Sequence, residues 1–255
     1  MRRREALLAI GFVLMPLATG TIASAWQRAP AQGSNPHVAS FSEKVQSMVP
    51  EFEAVGRPMA DVAVQIAYKY KLPMAIEHVD LDALRKPLRL TLKGQSVRQV
   101  IAAIVASVPG YQVDFSRGLV DIYSPAARRD PSNLLNMQIP RFEVDGLDTH
   151  LADAQLLCDI GRQLHGHSGC GGSVAGGQWG KRKITLHLDN RRVYEILNAI
   201  VAQNGEALWV PIAQPKEGSP LITGNFWYIY PLDPPFERSA VERLRELPLS
   251  QQRAP

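Results

Sequence analysis

The sequence predicts an α+β fold: two tandem modules of β-α-β-β-α-β-β order, each a small mixed sheet with two helices packed on it. Three observations predict it. Residues 88–109 superimpose without gaps on residues 184–205 at a constant offset of 96, and Leu90/Leu186, Leu92/Leu188, Val97/Val193, Ile104/Ile200 and Val105/Val201 are identical pairs. Within each copy the apolar period changes from two to about 3.6, as it does where a half-buried strand runs into an amphipathic helix. A turn signal then ends each unit's helix, Pro109-Gly110 in the first and, one residue earlier in the alignment, Asn204-Gly205 in the second. Most polar positions differ between copies, so the repeat carries a core pattern and not a reactive group.

The elements of the first copy follow in order. Phe52 to Val55 reads as a strand, and Pro58 opens a helix whose Met59, Val62, Ile66 and Tyr70 share one face up to Lys71. Leu72 to Val79 is the next strand. Leu88, Leu90 and Leu92 alternate with Arg89, Thr91 and Lys93, the pattern of a sheet with one wet face. Ser96 and Gln99 form a capping box ahead of Val97, Val100, Ile101, Ile104, Val105 and Val108. Tyr111–Phe115 and Leu119–Tyr123 make a hairpin across Ser116-Arg117-Gly118.

The second copy repeats this order. Arg141-Phe142-Glu143-Val144 echoes Phe52-Glu53, and a helix from about Thr149 to Leu164 carries Leu151, Ala154, Cys158 and Gly161 on one face. The copies diverge at residues 165–180, a glycine-rich insertion. The pattern resumes at Ile184, Leu186 and Leu188, continues through a helix marked by Val193, Ile196, Leu197 and Ile200, and ends in strands around Leu208 and Tyr228.

Outside the repeats, residues 1–25 read as an export signal: Arg2, Arg3 and Arg4, an apolar run from Ala6 to Leu17, and Ala23-Ser24-Ala25 ahead of Trp26. The alternative is an uncleaved N-terminal membrane anchor. Cleavage leaves a periplasmic protein that does not span the membrane. The division expected is 1–25 signal peptide, 26–48 flexible leader, 49–125 first module, 126–138 linker, 139–232 second module and 233–255 C-terminal tail. In the tail, Val241, Leu244 and Leu247 form a short amphipathic stretch among mixed charges.

Charge and composition exclude one class of partner. Three Arg and one Glu of the formal +4 lie in residues 1–25, so the remaining 230 residues carry +2. They lack the basic stripe interleaved with aromatics that binds nucleic acid.

At this point Leu88–Tyr123, with Pro58 to Val79 before it, resembles the short N-terminal domain shared by secretins and TonB-dependent receptors. The resemblance covers roughly 70 residues of the first copy and 90 of the second. It implies a periplasmic domain with no catalytic residues and no cofactor that docks other envelope proteins. The β-barrel or secretin ring that follows the domain in those proteins has no counterpart here, so only the docking role carries over. The expected partner is an envelope protein of unspecified identity, or a second copy of the chain.

Three local features bear on function. Cys158 and Cys170 are the only cysteines, an even count in an exported chain, and are expected to form a disulfide worth roughly 2–3 kcal/mol. His165, His167 and Cys170 are also the residue types that hold zinc or copper, which leaves a metal-handling protein as one alternative. An envelope-polymer hydrolase is the other, and it would need carboxylates converging between the modules, since no nucleophile elbow or phosphate-binding loop is present. Finally, Trp209, Phe226, Trp227, Tyr228 and Tyr230 crowd the last hairpin, where they serve as core or as a partner-contact patch.

Overall fold

A computed structural model describes residues 36–77, 81–166, 182–211 and 227–246 of the 255-residue chain. All of them fall in one compact unit, residues 36–255. The fold is mixed α+β. Its elements are α1 (Pro36–Gln46), β1 (Met48–Pro58), α2 (Met59–Tyr70), β2 (Met74–Ile76), α3 (Leu81–Arg85), β3 (Pro87–Ser96), α4 (Val97–Ala106), β4 (Gln112–Asp114) and β5 (Val120–Tyr123). The second half contributes β6 (Gln138–Asp148), α5 (Thr149–His165), β7 (Lys183–Arg192), α6 (Val193–Asn204), β8 (Ala207–Pro211), β9 (Trp227–Pro231) and α7 (Pro234–Glu246).

The repeat is visible in the strand registers. In β1 and β3, Phe52 faces Leu92 and Ala54 faces Leu90; in β6 and β7, Phe142 faces Leu188 and Val144 faces Leu186. Positions before the insertion are therefore related by 90 residues and positions after it by 96. Each antiparallel ribbon bulges at the same place, where Gly56 (φ 71°) and Gly146 (φ 60°) take the left-handed conformation. A second left-handed position is Gly94 in β3 and Asn190 in β7, asparagine being the side chain that best tolerates it.

The sheets depart from the expectation of one per module. The ribbons β1-β3 and β6-β7 stand apart, and the remaining strands form a single five-stranded sheet in the order β4-β5-β2-β8-β9. Strand β2 of the first half pairs parallel to β5 of its own half and to β8 of the second. Alternate side chains of this sheet enter two different cores. Met74, Ile76, Val120, Ile122, Leu208, Val210 and Tyr230 pack with α2, α4 and α7. Ala75, Leu119, Ala207, Trp209, Trp227 and Ile229 pack with α5 and α6. Both faces are covered, which is why β2 and β8–β9 read as continuous apolar runs and not as alternation.

Helix ends obey local chemistry. The Ser96 hydroxyl accepts from the Gln99 amide at 3.3 Å while the Gln99 side chain accepts from the Ser96 amide at 2.8 Å. In the second copy Glu195 accepts the Arg192 amide at 3.0 Å. Helix α2 stops at Lys71, which is left-handed (φ 51°).

Three expectations are corrected here. Residues 36–46, assigned to the flexible leader, form α1, because Phe41 and Val45 one turn apart are buried in the first core. Part of the assigned tail forms α7, with Ala240 and Val241 buried against the same core. The buried face of α5 is Ala152, Leu156 and Ile160, whereas Leu151 is 41% exposed. Those three residues lie 90 after Val62, Ile66 and Tyr70, so the repeat offset selects the stripe that faces the ribbon and sheet.

Because no atom approaches within 4 Å of a Cβ added at Gly56 or Gly146, alanine there meets backbone strain alone. Gly56→Ala and Gly146→Ala are each expected to cost about 1 kcal/mol by denaturant unfolding, and Gly94→Asn less, since its repeat partner is already asparagine.

Candidate functional site

Two places gather chemistry. The first is where the halves join. The Arg128 guanidinium, from the segment between repeats, lies between the rings of Tyr123 and Tyr194, 3.7 and 4.2 Å from their centroids. Its Nη2 donates to both Asp121 oxygens at 2.8 and 2.7 Å, and its Nε donates to Glu77 Oε1 at 2.8 Å. Asp121 also accepts from Asn198 Nδ2 at 2.9 Å, and Asn198 Oδ1 accepts from the Trp209 indole at 2.8 Å. Strand β5, the end of β2, the linker, α6 and β8 thus meet in one network. Burial pushes the Glu77 carboxyl up to about 7 and raises Asp121 also, although Arg128 opposes both shifts. Carboxylates held by protein donors in this way serve cohesion.

A second carboxyl with a raised pKa is Asp153 on α5. Burial lifts it to about 7, and its Oδ1 accepts the Trp227 indole N–H at 2.5 Å.

The second place is a groove of about 240 Å³ in the first repeat. Its floor is Val62 and Ile66 from α2 with Val97 and Val100 from α4; β1 supplies Glu51, Phe52 and Glu53, and Arg57 and Lys69 complete a charged rim. Consecutive β1 residues line it, so the groove lies beside that strand. The repeats differ here: Phe142 and Ile160 are fully buried, while Phe52 and Tyr70, at the equivalent positions, are half-buried. Val55 and Met48 on the same strand are 56% and 62% exposed.

The residues expected as a contact patch lie mostly elsewhere than the surface. Trp209, Trp227 and Tyr230 are buried, and Tyr228 is half-buried against the first core with its ring 5.8 Å from that of Tyr230. Both sheet faces carry helices, so neither set of alternating aromatics is left outward. Phe226 lies outside the described residues. So do His167 and Cys170, and with them the expected Cys158–Cys170 bridge and metal loop; Cys158 is half-buried on α5. Among the described residues no His, Cys, Asp and Glu cluster has metal-site geometry, and no helix is long and apolar enough to cross a membrane.

Sequence reading missed Arg128. Its signal was present in Leu119-Val120-Asp121-Ile122 and Met74-Ala75-Ile76-Glu77, where an acid sits within or at the end of a continuous apolar run and requires a cation nearby. No family model, curated protein or solved structure matches this chain.

The difference between repeats is open to measurement. Phe142→Ala is expected to lower unfolding free energy by about 3–5 kcal/mol, and Phe52→Ala by clearly less, because Phe52 has kept part of its surface in water.

Proposed function

We propose that the chain is an exported, non-enzymatic docking protein of the bacterial envelope, working in the periplasm and built from two copies of a secretin/TonB-receptor-type short N-terminal domain. The observation that carries the reading is the groove beside β1, with its half-open Phe52 and Tyr70, in a repeat whose twin closes the same positions. The order β1-α2-β2-β3-α4-β4-β5 of the first half, with the short α3 inserted, agrees with that module's order and supports the likeness. In this reading the second copy lost its groove and became a support for the first, joined to it through β2 and β8.

The partner is an envelope protein that presents an extended segment. Among the described residues β1 is paired on one side only, to β3, and a strand laid along it would gain main-chain hydrogen bonds while its alternate side chains enter the apolar floor. The Glu51, Glu53, Arg57 and Lys69 rim would select a segment carrying both signs of charge. The two converging carboxylates, Glu77 and Asp121, are engaged by Arg128, which disfavours a hydrolase reading of the joint. Cys158–Cys170 would tie the insertion to α5.

The test places a photo-crosslinking residue at Val55 in one version of the full chain and at Leu151 in another, both expressed in the periplasm of the native host. The expected outcome is a mature protein starting at Trp26 and a defined adduct from position 55 that is absent from position 151. A cytoplasmic, unprocessed chain, or equal labelling at both positions, contradicts the reading.

A further inference from the structure

The cluster at the joint has an arithmetic problem that the docking role does not address. Two carboxylates, Glu77 and Asp121, share one guanidinium, and Glu77 is 1% exposed. Fully ionised, the site would hold one uncompensated negative charge between two apolar cores, an arrangement that proteins avoid by keeping a proton. Among the described residues no second cation is bonded to either carboxylate. Arg117, in the turn before β5, lies 3.8 Å from Glu195 of α6 and also favours the charged form of Asp121, but not that of Glu77. From the start of α6, Arg192 Nη1 donates to the Arg128 carbonyl at 3.3 Å. Tyr123 and Tyr194 flank the guanidinium with their ring faces, and β8 contributes only the Trp209 indole through Asn198.

We propose that the Glu77–Arg128–Asp121 cluster holds one proton in the folded protein and acts as a proton-sensitive latch between the two repeats. The proton belongs on Glu77. Both bonds that Glu77 receives from Arg128 fall on one oxygen, Oε1, whereas Asp121 has both oxygens bonded to Arg128 and a further bond from Asn198. A neutral Glu77 beside an Asp121–Arg128 ion pair satisfies the charge count. Loss of the proton leaves like charges facing each other across the end of β2, the strand whose Met74 and Ala75 pair with Leu208 and Trp209 of the other half.

The sign is definite. A carboxyl whose pKa in the folded chain is above the 4.5 of the unfolded one contributes stability that is complete below 4.5. That contribution falls as pH rises and is gone above about 7. One such proton changes the folding equilibrium tenfold per pH unit inside that window. Asp153 adds a proton of the same sign on α5, so the wild-type slope contains both.

The test compares the pH dependence of denaturant unfolding between pH 5 and 8 for the wild-type chain and Glu77→Gln, with Asp153→Asn as the control for the other carboxyl. Glu77→Gln is expected to reduce the slope by a factor of ten per pH unit and to leave the Asp153 part in place. An unchanged slope overturns the proposal. Should the variant fail to fold, carbon-13 NMR of the wild-type glutamate carboxyls decides: a Glu77 midpoint near 7 supports the latch, and one near 4.5 overturns it. Hydrogen exchange reads the latch itself. After correction for intrinsic rates, the amides pairing β2 with β8 should open more at pH 8 than at pH 5 in wild type and equally in Glu77→Gln; equal opening in wild type also overturns it.

Discussion

Everything in this fold depends on a three-residue strand. Met74, Ala75 and Ile76 lie at the centre of the five-stranded sheet, where β2 pairs parallel to β5 on one side and to β8 on the other. All three side chains are buried, Met74 and Ile76 in the core of α2, α4 and α7, and Ala75 in the core of α5 and α6. A short parallel strand with helices on both faces leaves no backbone polar group for water, so its hydrogen bonds must come from both repeats. The duplicated units therefore do not sit side by side as beads. Each lends the other a sheet neighbour, and α2 and α4 of the first half together with α7 of the second close one face of the shared sheet, while α5 and α6 close the other.

The joint explains the placing of the polar network. Where two apolar layers meet across one sheet, a charged side chain has a cost unless a partner is fixed beside it. Asp121 points to the α6 side and is met there by Asn198, itself held by Trp209. Arg128 then closes the site from the inter-repeat segment, which is packed and not loose: Ala127 and Leu135 are buried, and the Asn136 amide donates to the Ala127 carbonyl at 2.8 Å. The network thus fixes the segment that leads from one repeat to the next, and with it the angle at which the second copy enters.

How much of this was legible in the sequence varied with the range of the interaction. The Ser96 capping box, the α2 stop at Lys71, the β3 alternation and the Gly118 turn are local chemistry, and the structure carries them at the expected residues, whereas α2 is buried nearly all round and Tyr70 of its expected stripe is half-buried. The α5 face was within reach but misassigned: carrying the Phe52/Phe142 offset forward selects Ala152, Leu156 and Ile160 over Leu151, Ala154 and Cys158. The shared sheet was harder. Its signal lies in the absence of alternation along Ala207-Leu208-Trp209-Val210 and Trp227-Tyr228-Ile229-Tyr230, which says that both faces are covered without saying by what. The same ambiguity left those aromatics between core and contact patch. The acids in the apolar runs say that a cation is needed, but not that it is Arg128, 51 residues after Glu77, because such pairing is set by the fold. The groove was equally hidden, being a difference in burial between two positions that look alike, Phe52 and Phe142.

The most direct measurement of the central claim is to express residues 36–130 alone, the first repeat with its linker arginine but without β8, β9 and α7. If the repeats are halves of one unit, this fragment exposes the β2 edge and the α7-facing side of α2, and should show no cooperative unfolding transition as a monomer. A monomeric fragment that unfolds cooperatively, with the stability of a complete small domain, would contradict the account and restore two independent modules.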